Sequence, residues 1–283
     1  MPILHILILA IIQGLTEFLP VSSSGHLVLA WEVFDGLQVD QPVQAESDRL
    51  VIDIAVHVGT LVAVCLYFWR DLVDMLAGLL RLMAGRRGPG ARLAFHIVLA
   101  TIPLLVVGFL AKDIVTAMLR DVQVIAWATI GFGILLWLGD RMGMTVRRVE
   151  HMAAGEAFVI GLAQVLALIP GTSRSGVTMT AARFLGYERI EAARFSLLLA
   201  IPAILAAGAL AGFDLYSSGN VRLGMDALIA GGLAFVAAIG AIALLMGWVR
   251  RASFTPFVIY RLLLGALLLA GIYLWDFGLP PAT

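Results

Sequence analysis

Six long stretches of apolar residues constrain the fold of this chain more than any other feature of its sequence. A helix needs roughly 20 predominantly apolar residues to cross a bilayer, and each stretch comes close to that length. Charged residues make up 13% of the chain, whereas a soluble domain carries about 25%. We therefore predict a single all-α integral membrane domain over residues 1–283, with six transmembrane helices. These helices are placed at residues 51–69, 95–111, 122–139, 195–212, 227–248 and 257–273.

Two further apolar stretches, residues 3–30 and 157–185, are each broken near the middle, the first at Pro20 and the second at Pro170. Proline has no amide hydrogen to donate and disfavours helix at the residue before it. A helix break at membrane depth is tolerated only inside protein or beside a water-filled cavity. We predict that both stretches form re-entrant, broken-helix hairpins.

The two broken stretches also resemble each other. Gln13-Gly-Leu matches Gln164-Val-Leu, and Ser22-Ser-Ser-Gly matches Ser173-Arg-Ser-Gly, both at an offset of 151 residues. Each broken stretch is followed by three spans, which is the pattern of an inverted-topology repeat. The alternative is chance convergence of short Ser/Gly strings. The predicted repeats are residues 1–140, with hairpin 3–30, and residues 155–283, with hairpin 157–185.

Arginines cluster in three of the loops between apolar stretches. Cytoplasmic loops carry an excess of Lys and Arg, so we predict that these three loops are cytoplasmic. The less basic loops at residues 31–48, 113–121 and 214–226 are then outside. On this basis hairpin 157–185 enters from the cytoplasm and hairpin 3–30 from the outside. The arginines are Arg70, Arg81, Arg86, Arg87 and Arg92, then Arg141, Arg147 and Arg148, and finally Arg250 and Arg251.

Short hydroxyl residues follow each proline, where a new helix would begin. Ser and Thr are good N-caps, and a helix N-terminus offers free amides and about half a positive charge, which suits phosphate. Two such tips that meet from opposite sides predict a phosphate site near the midplane. Capping without any chemistry is the alternative explanation. The residues predicted to bind substrate are Ser22, Ser24, Gly25, Thr172, Ser173, Ser175 and Gly176.

Four residues suited to catalysis lie on or beside the tips: Glu17, Ser23, His26 and Arg174. A carboxylate within an apolar run is expensive and usually functional, and a guanidinium can direct two donors onto a phosphate. In the alternative interpretations, Glu17 and Arg174 form a structural ion pair and His26 is a packing residue. His57 has no companion motif, so we interpret it as structural.

Two motifs of this chain resemble the signatures of a known family. Residues 13–26, QGLTEFLPVSSSGH, closely resemble the first signature of the undecaprenyl-diphosphatases, the bacitracin-resistance family. Residues 170–176, PGTSRSG, resemble the second, and residues 67–70 and 253–261 look like further family landmarks. The likeness therefore covers essentially the whole chain. One position departs from the pattern, because some members have glutamate where this chain has Gln13.

The resemblance implies a polyprenyl-diphosphate phosphatase that hydrolyses undecaprenyl diphosphate to undecaprenyl phosphate and inorganic phosphate. This reaction recycles the lipid carrier of peptidoglycan synthesis and confers bacitracin resistance. The resemblance also implies a bacterial inner-membrane location, a site open to the periplasm, and a divalent cation, Mg²⁺ or Ca²⁺. Such a cation would lie between Gln13, Glu17 and the diphosphate.

Several alternatives stay open on the sequence alone. Ser23 is the preferred nucleophile with either His26 or Glu17 as its base, and a phosphohistidine at His26 is the competing chemistry. Secondary transport of a lipid phosphate or another anion is the rival function, because inverted repeats with broken helices are typical of such carriers. A homodimer fits this fold, although no interface follows from the sequence. Nineteen basic and nineteen acidic residues leave no basic field for nucleic acid.

Overall fold

The computed structural model describes residues 2–37, 46–111, 121–143, 146–217 and 224–274. Within these ranges the chain forms eleven α-helices and no extended sheet. The helices are α1 (Ile3–Thr16), α2 (Ser23–Leu37), α3 (Glu46–Tyr67), α4 (Trp69–Met83), α5 (Pro89–Leu110), α6 (Val122–Met142), α7 (Ala154–Val165), α8 (Arg174–Phe184), α9 (Arg189–Ser217), α10 (Gly224–Val249) and α11 (Thr255–Leu274).

Six of these helices are long and apolar enough to cross a membrane, which confirms the predicted all-α membrane fold. Each one overlaps a predicted stretch over most of its length. Their apolar side chains remain widely exposed, as expected for surfaces that face lipid. The spanning segments are Arg49–Tyr67, Pro89–Leu110, Val122–Met142, Arg189–Leu210, Gly224–Val249 and Thr255–Leu274.

Helix α4 was not predicted from the sequence. Its arginines, Arg70 and Arg81, were assigned to a cytoplasmic loop. The predicted span at residues 51–69 ends at Tyr67, and α4 begins two residues later. Asp71, Asp74 and Arg81 recur along one face of α4 at helical spacing, whereas exposed apolar side chains such as Leu76 lie on another. Because a charge returns in nearly every turn, a search for continuous apolar stretches does not detect an amphipathic helix of this kind.

Both broken stretches fold into two helices that meet at a break. Helix α1 ends before Pro20 and α2 starts after it, while α7 and the 3₁₀ turn Leu166–Leu168 precede Pro170. Helix α2 continues beyond the predicted hairpin, which ended at residue 30. The inverted repeat and the sides from which the hairpins enter stay predictions.

Small residues bring the first helix of each hairpin close to a spanning helix. A Cβ atom on Gly14 of α1 would lie 2.7 Å from the carbonyl oxygen of Ala234 in α10, and one on Gly161 of α7 would lie 2.5 Å from that of Ala100 in α5. Close backbone approach at small residues is a common mode of helix packing in membranes. These contacts fix the two hairpins against the spanning helices and so place their tips.

Candidate active site

The tips of the two hairpins share an unusual backbone turn. Ser22 and Ser173 have φ values of +77° and +71°, and they are the only non-glycine residues with positive φ in the described part of the chain. In each tip the serine Oγ accepts a hydrogen bond from the amide three residues later, at Gly25 (3.4 Å) and Gly176 (3.1 Å). Such a conformation costs about 1–3 kcal/mol for a non-glycine residue. Both tips therefore hold a strained, capped helix start.

Glu17 lies at the centre of the site and is 7% exposed. Its Oε2 accepts hydrogen bonds from the Ser23 hydroxyl at 2.6 Å and from Gln13 Nε2 at 3.0 Å. Its Oε1 accepts a hydrogen bond from Arg174 Nη2 at 3.1 Å. The structure thus brings together the predicted carboxylate, serine and arginine, although 157 residues separate Glu17 from Arg174.

Arg174 begins α8 and reaches across to the first hairpin. Its side chain is 13% exposed, and its Nη1 donates to the carbonyl oxygen of Ser196 at 3.3 Å. The ion pair with Glu17 balances the two buried charges, so the structural pairing considered above does occur. Its formation does not conflict with a role in phosphate binding, because the guanidinium has donors beyond the one given to Glu17.

His26 makes no hydrogen bond to Ser23 among the described residues. Its Nδ1 donates to the Ser22 carbonyl oxygen at 2.6 Å, which leaves Nε2 to accept from the Tyr260 hydroxyl at 2.5 Å. The two rings also stack, with centroids 5.7 Å apart. Both ring nitrogens are therefore occupied, and Glu17 is the residue that accepts the hydrogen bond from Ser23.

Arg261, a fully buried arginine on α11, belongs to the site but was not predicted from the sequence. Its Nη1 donates to the carbonyl oxygens of Pro20 (3.3 Å) and Thr172 (3.0 Å), one in each tip. Its Nη2 donates to Gly171 at 2.9 Å, and its Nε donates to Thr129 of α6 at 3.0 Å. The available signal was an arginine in an otherwise apolar span, at the end of the landmark of residues 253–261. The same landmark contains Tyr260.

Most hydroxyls predicted to bind substrate point into the protein. Ser22, Thr172, Ser173 and Ser175 are all buried, and the Ser175 hydroxyl donates to the Leu19 carbonyl oxygen at 3.0 Å across the two tips. Gly25 and Gly176 are buried as well, whereas Ser23 is partly exposed and Ser24 is exposed. Substrate binding by this set stays a prediction, and the open side of the site is lined by Ser23 and Ser24.

Comparison with known proteins identifies the family of this chain. The family model of the bacitracin resistance protein BacA matches residues 6–267. This chain belongs to the BacA family. It is 51% identical to undecaprenyl-diphosphatase 1 of Rhodospirillum rubrum, in an alignment that covers 97% of this chain and 96% of the relative. It is 48% identical to the undecaprenyl-diphosphatase of Ruegeria pomeroyi and 47% identical to that of Roseobacter denitrificans, each aligned over 96% of this chain and all of the relative.

The predicted metal ligands of this BacA-family protein form only a partial site. Among the described residues, no group of three or more His, Cys, Asp or Glu side chains is arranged to hold a metal ion. Gln13 Oε1, however, is buried without a hydrogen-bond partner in the described structure, and the Nε2 of the same amide donates to the Glu17 carboxylate. An amide oxygen and a carboxylate are suitable ligands for a hard divalent cation. The two residues fit a cation whose remaining ligands come from phosphate oxygens and water.

Proposed function

We propose that this protein hydrolyses undecaprenyl diphosphate to undecaprenyl phosphate and inorganic phosphate in the bacterial inner membrane. The observation that carries the proposal is the 2.6 Å hydrogen bond from Ser23 to Glu17, found in a chain of the BacA family whose curated relatives are named undecaprenyl-diphosphatases. The reaction returns the lipid carrier to peptidoglycan synthesis. It confers bacitracin resistance for the same reason, because it removes the diphosphate form of the carrier.

In the first chemical step, Ser23 Oγ attacks the terminal phosphorus and its proton passes to Glu17. The bond between that phosphorus and the bridging oxygen breaks, and undecaprenyl phosphate leaves with the bridging oxygen. Water then attacks the phosphoserine, releases inorganic phosphate and restores the serine hydroxyl. A serine is a weak nucleophile without a base, and such a base contributes about 10²–10⁴-fold.

Arg174 and His26 have supporting roles in this scheme. The remaining donors of Arg174 bind phosphate oxygens and stabilise charge in the transition state. His26 holds the first tip through its bond to the Ser22 carbonyl oxygen. Attack by His26 itself would require Nε2 to give up the Tyr260 hydroxyl, so the geometry favours the serine route over a phosphohistidine.

Gln13 and Glu17 would hold a divalent cation, Mg²⁺ or Ca²⁺, through an amide oxygen and a carboxylate. When bound, the cation neutralises charge on the diphosphate and polarises its phosphorus–oxygen bonds. Gln13 stands where some relatives have glutamate, so this chain offers one negative charge fewer. We expect weaker cation affinity than in a site with two carboxylates.

The inverted repeat remains part of the proposal. It is supported by the matched turns at Ser22 and Ser173 and by the unpartnered amide oxygens of Gln13 and Gln164, which lie at the same offset of 151 residues. We place the hairpins on opposite sides and the site open to the periplasm, because the basic loops mark the cytoplasmic side. A carrier would share this architecture, but it has no need of a serine held against a buried carboxylate.

The test is phosphate release from a C55 prenyl diphosphate by purified protein in detergent, with and without a chelator. Ser23→Ala should lose at least about 10²-fold in rate. Ser24→Ala removes the neighbouring exposed hydroxyl, which is predicted to bind substrate and not to react, and it should lose far less activity than Ser23→Ala. Near-full activity of Ser23→Ala would refute the serine route.

Two further variants identify the base. Glu17→Gln should lose as much activity as Ser23→Ala, whereas His26→Gln should retain more because its contacts position the tip. If His26→Gln is the more severe of the two, the assignment of the base is wrong. Absence of phosphate release from folded wild-type protein under several metals would favour transport instead.

A further inference from the structure

A polar cavity of about 300 Å³ lies away from the hairpin tips. Its walls come from α4, the start of α5, the 3₁₀ turn Val149–His151 and the start of α9. It shares no lining residue with the Glu17 site. It lies on the side of the molecule that carries the arginine-rich loops, which we assigned to the cytoplasm.

The charges that line this cavity are only partly paired. Arg194 and Asp71 form an ion pair and so neutralise each other. Two cationic side chains, Arg81 and Arg92, have no ion-pair partner in the described structure. The carboxylates of Asp74 and Glu150 also lie on the cavity wall, exposed and without such a partner among the described residues. The cavity therefore offers two unpaired charges of each sign.

The start of α5 adds a site for an anion. Gly88 precedes the helix in an extended conformation, Pro89 follows at its first position, and no side chain caps the first amides. A helix N-terminus without a cap attracts negative charge. His96, two turns further along, lines the same cavity and is 3% exposed. No hydrogen-bond partner for its ring occurs in the described part of the chain, and neither ring nitrogen is among the fully enclosed atoms without a partner, so the ring is open to the cavity.

The cavity adjoins a surface that faces lipid. Phe95, Val98 and Ile102 follow Arg92 along α5 at helical spacing and are 56%, 59% and 46% exposed. Helix α4 is amphipathic, and its exposed apolar side chains are typical of a helix that lies at the membrane interface. A ligand that combines a polar head with apolar chains could place the head in the cavity and the chains along α5.

We propose that this cavity binds the headgroup of a zwitterionic phospholipid that carries a phosphate and a primary ammonium. Arg81, Arg92 and the N-terminus of α5 bind the phosphate, with His96 at the base. Asp74 and Glu150 accept hydrogen bonds from the ammonium. The equal numbers of unpaired cations and carboxylates favour this headgroup over a simple anion. The proposal stands independently of the proposed hydrolysis.

The experiment measures binding of short-chain phosphatidylethanolamine, phosphatidylcholine and phosphatidylglycerol to the full-length protein in detergent, by native mass spectrometry. Inorganic phosphate is tested as a competitor. We expect the ethanolamine lipid to bind about tenfold more tightly than the other two, because only its ammonium donates hydrogen bonds to carboxylates. Inorganic phosphate should compete only weakly, since it offers no ammonium and no chains.

Paired variants identify the groups that bind. Arg81→Gln combined with Arg92→Gln should weaken all three lipids by about tenfold or more. Arg86→Gln combined with Arg87→Gln is the matched control, because these exposed arginines do not line the cavity, and it should leave binding unchanged.

Substitution of the two carboxylates tests whether they bind the ammonium group of the lipid. Asp74→Asn combined with Glu150→Gln should remove the preference for ethanolamine while leaving phosphatidylglycerol bound. Phosphate release and thermal midpoint, measured on every variant, show that each one is folded. Equal binding of the three lipids, or free phosphate competing as well as lipid, would make this an anion site and overturn the proposal. Lipid affinity that is unchanged in the variant carrying Arg81→Gln and Arg92→Gln would overturn the proposal as well.

Discussion

Replacing Arg261 with methionine keeps a long unbranched side chain but removes all the hydrogen bonds that this residue donates to the two hairpins. The native guanidinium donates to the carbonyl oxygens of Pro20 in the first tip and of Gly171 and Thr172 in the second. It also bonds to the backbone of α6 at Thr129. No other side chain in the described structure bonds to both tips in this way, so the change tests directly what holds them together.

The expected loss of folding stability in Arg261→Met is the balance of two opposing effects. Each buried carbonyl left without a partner costs about 1–3 kcal/mol. Against this, methionine no longer buries a positive charge, which is itself costly. Arg261 donates only to backbone carbonyls in the described structure, so its loss leaves several carbonyls unpaired but no charge, and we take about 3–5 kcal/mol for their net effect. We expect Arg261→Met to lie in that range, which corresponds to a fall of roughly 10 °C in Tm.

The activity effect should exceed what lost stability alone would cause. Ser23, Glu17 and Arg174 come from different tips, and a displacement of about 1 Å can cost about 10²-fold in rate. We expect kcat to fall by about that factor at a temperature where the variant is fully folded. Thermal unfolding and phosphate release from the same detergent sample measure both effects.

Arg250→Met is the matched control, because Arg250 is exposed near the end of α10. It should leave both Tm and kcat close to wild type. If Arg261→Met unfolds within about 2 °C of wild type, the hydrogen bonds of Arg261 to Pro20, Gly171 and Thr172 do not hold the tips together. If Tm falls but kcat of the folded protein does not, Arg261 stabilises the fold without positioning the site.

Two further predictions concern contacts around the site and at the start of α7. Tyr260→Phe removes the donor to His26 Nε2 but keeps the ring stack, so phosphate release should fall by less than about tenfold, measured as kcat beside His26→Gln. For Glu156, burial acts to raise its pKa, but the amide at its helix cap, Arg147 and the Tyr187 hydroxyl together hold the pKa below its usual value. Its contribution to stability is therefore present at neutral pH and is lost as pH falls below about 4.5. Tm measured from pH 7 to about 3 should fall more steeply for wild type than for Glu156→Gln in the acidic part of the range, and parallel curves would contradict this assignment.

The sequence predicted those parts of the molecule that depend on local patterns. Six spans follow from apolar length, and the two hairpin breaks follow from Pro20 and Pro170. The meeting of Glu17 with Arg174 could be expected from two matching tips. The role of Arg261 could not be predicted from the sequence. Its 3.3 Å hydrogen bond to Pro20 joins residues 241 positions apart, and nothing in the local pattern of α11 specifies which carbonyl oxygens it contacts.

The sequence also could not predict which of the hydroxyl side chains point into the protein. Ser22 and Ser24 differ little in sequence context, yet Ser22 turns inward to cap α2 and Ser24 is exposed. The choice goes with the positive φ at Ser22, which local sequence does not predict for a serine. His26 is a similar case, because its partner Tyr260 comes from the last helix.

The placement of charge explains why the site lies at the junction of the two hairpins. Glu17 belongs to the first hairpin and Arg174 to the second, so each buried charge is compensated only when the hairpins meet. Arg261 bonds to both tips, and Ser175 of the second tip donates to the Leu19 carbonyl oxygen of the first. An unpaired buried charge costs several kcal/mol, so separation of the tips is strongly opposed. The contacts that stabilise this junction are therefore the same ones that hold the Ser23 hydroxyl against its carboxylate.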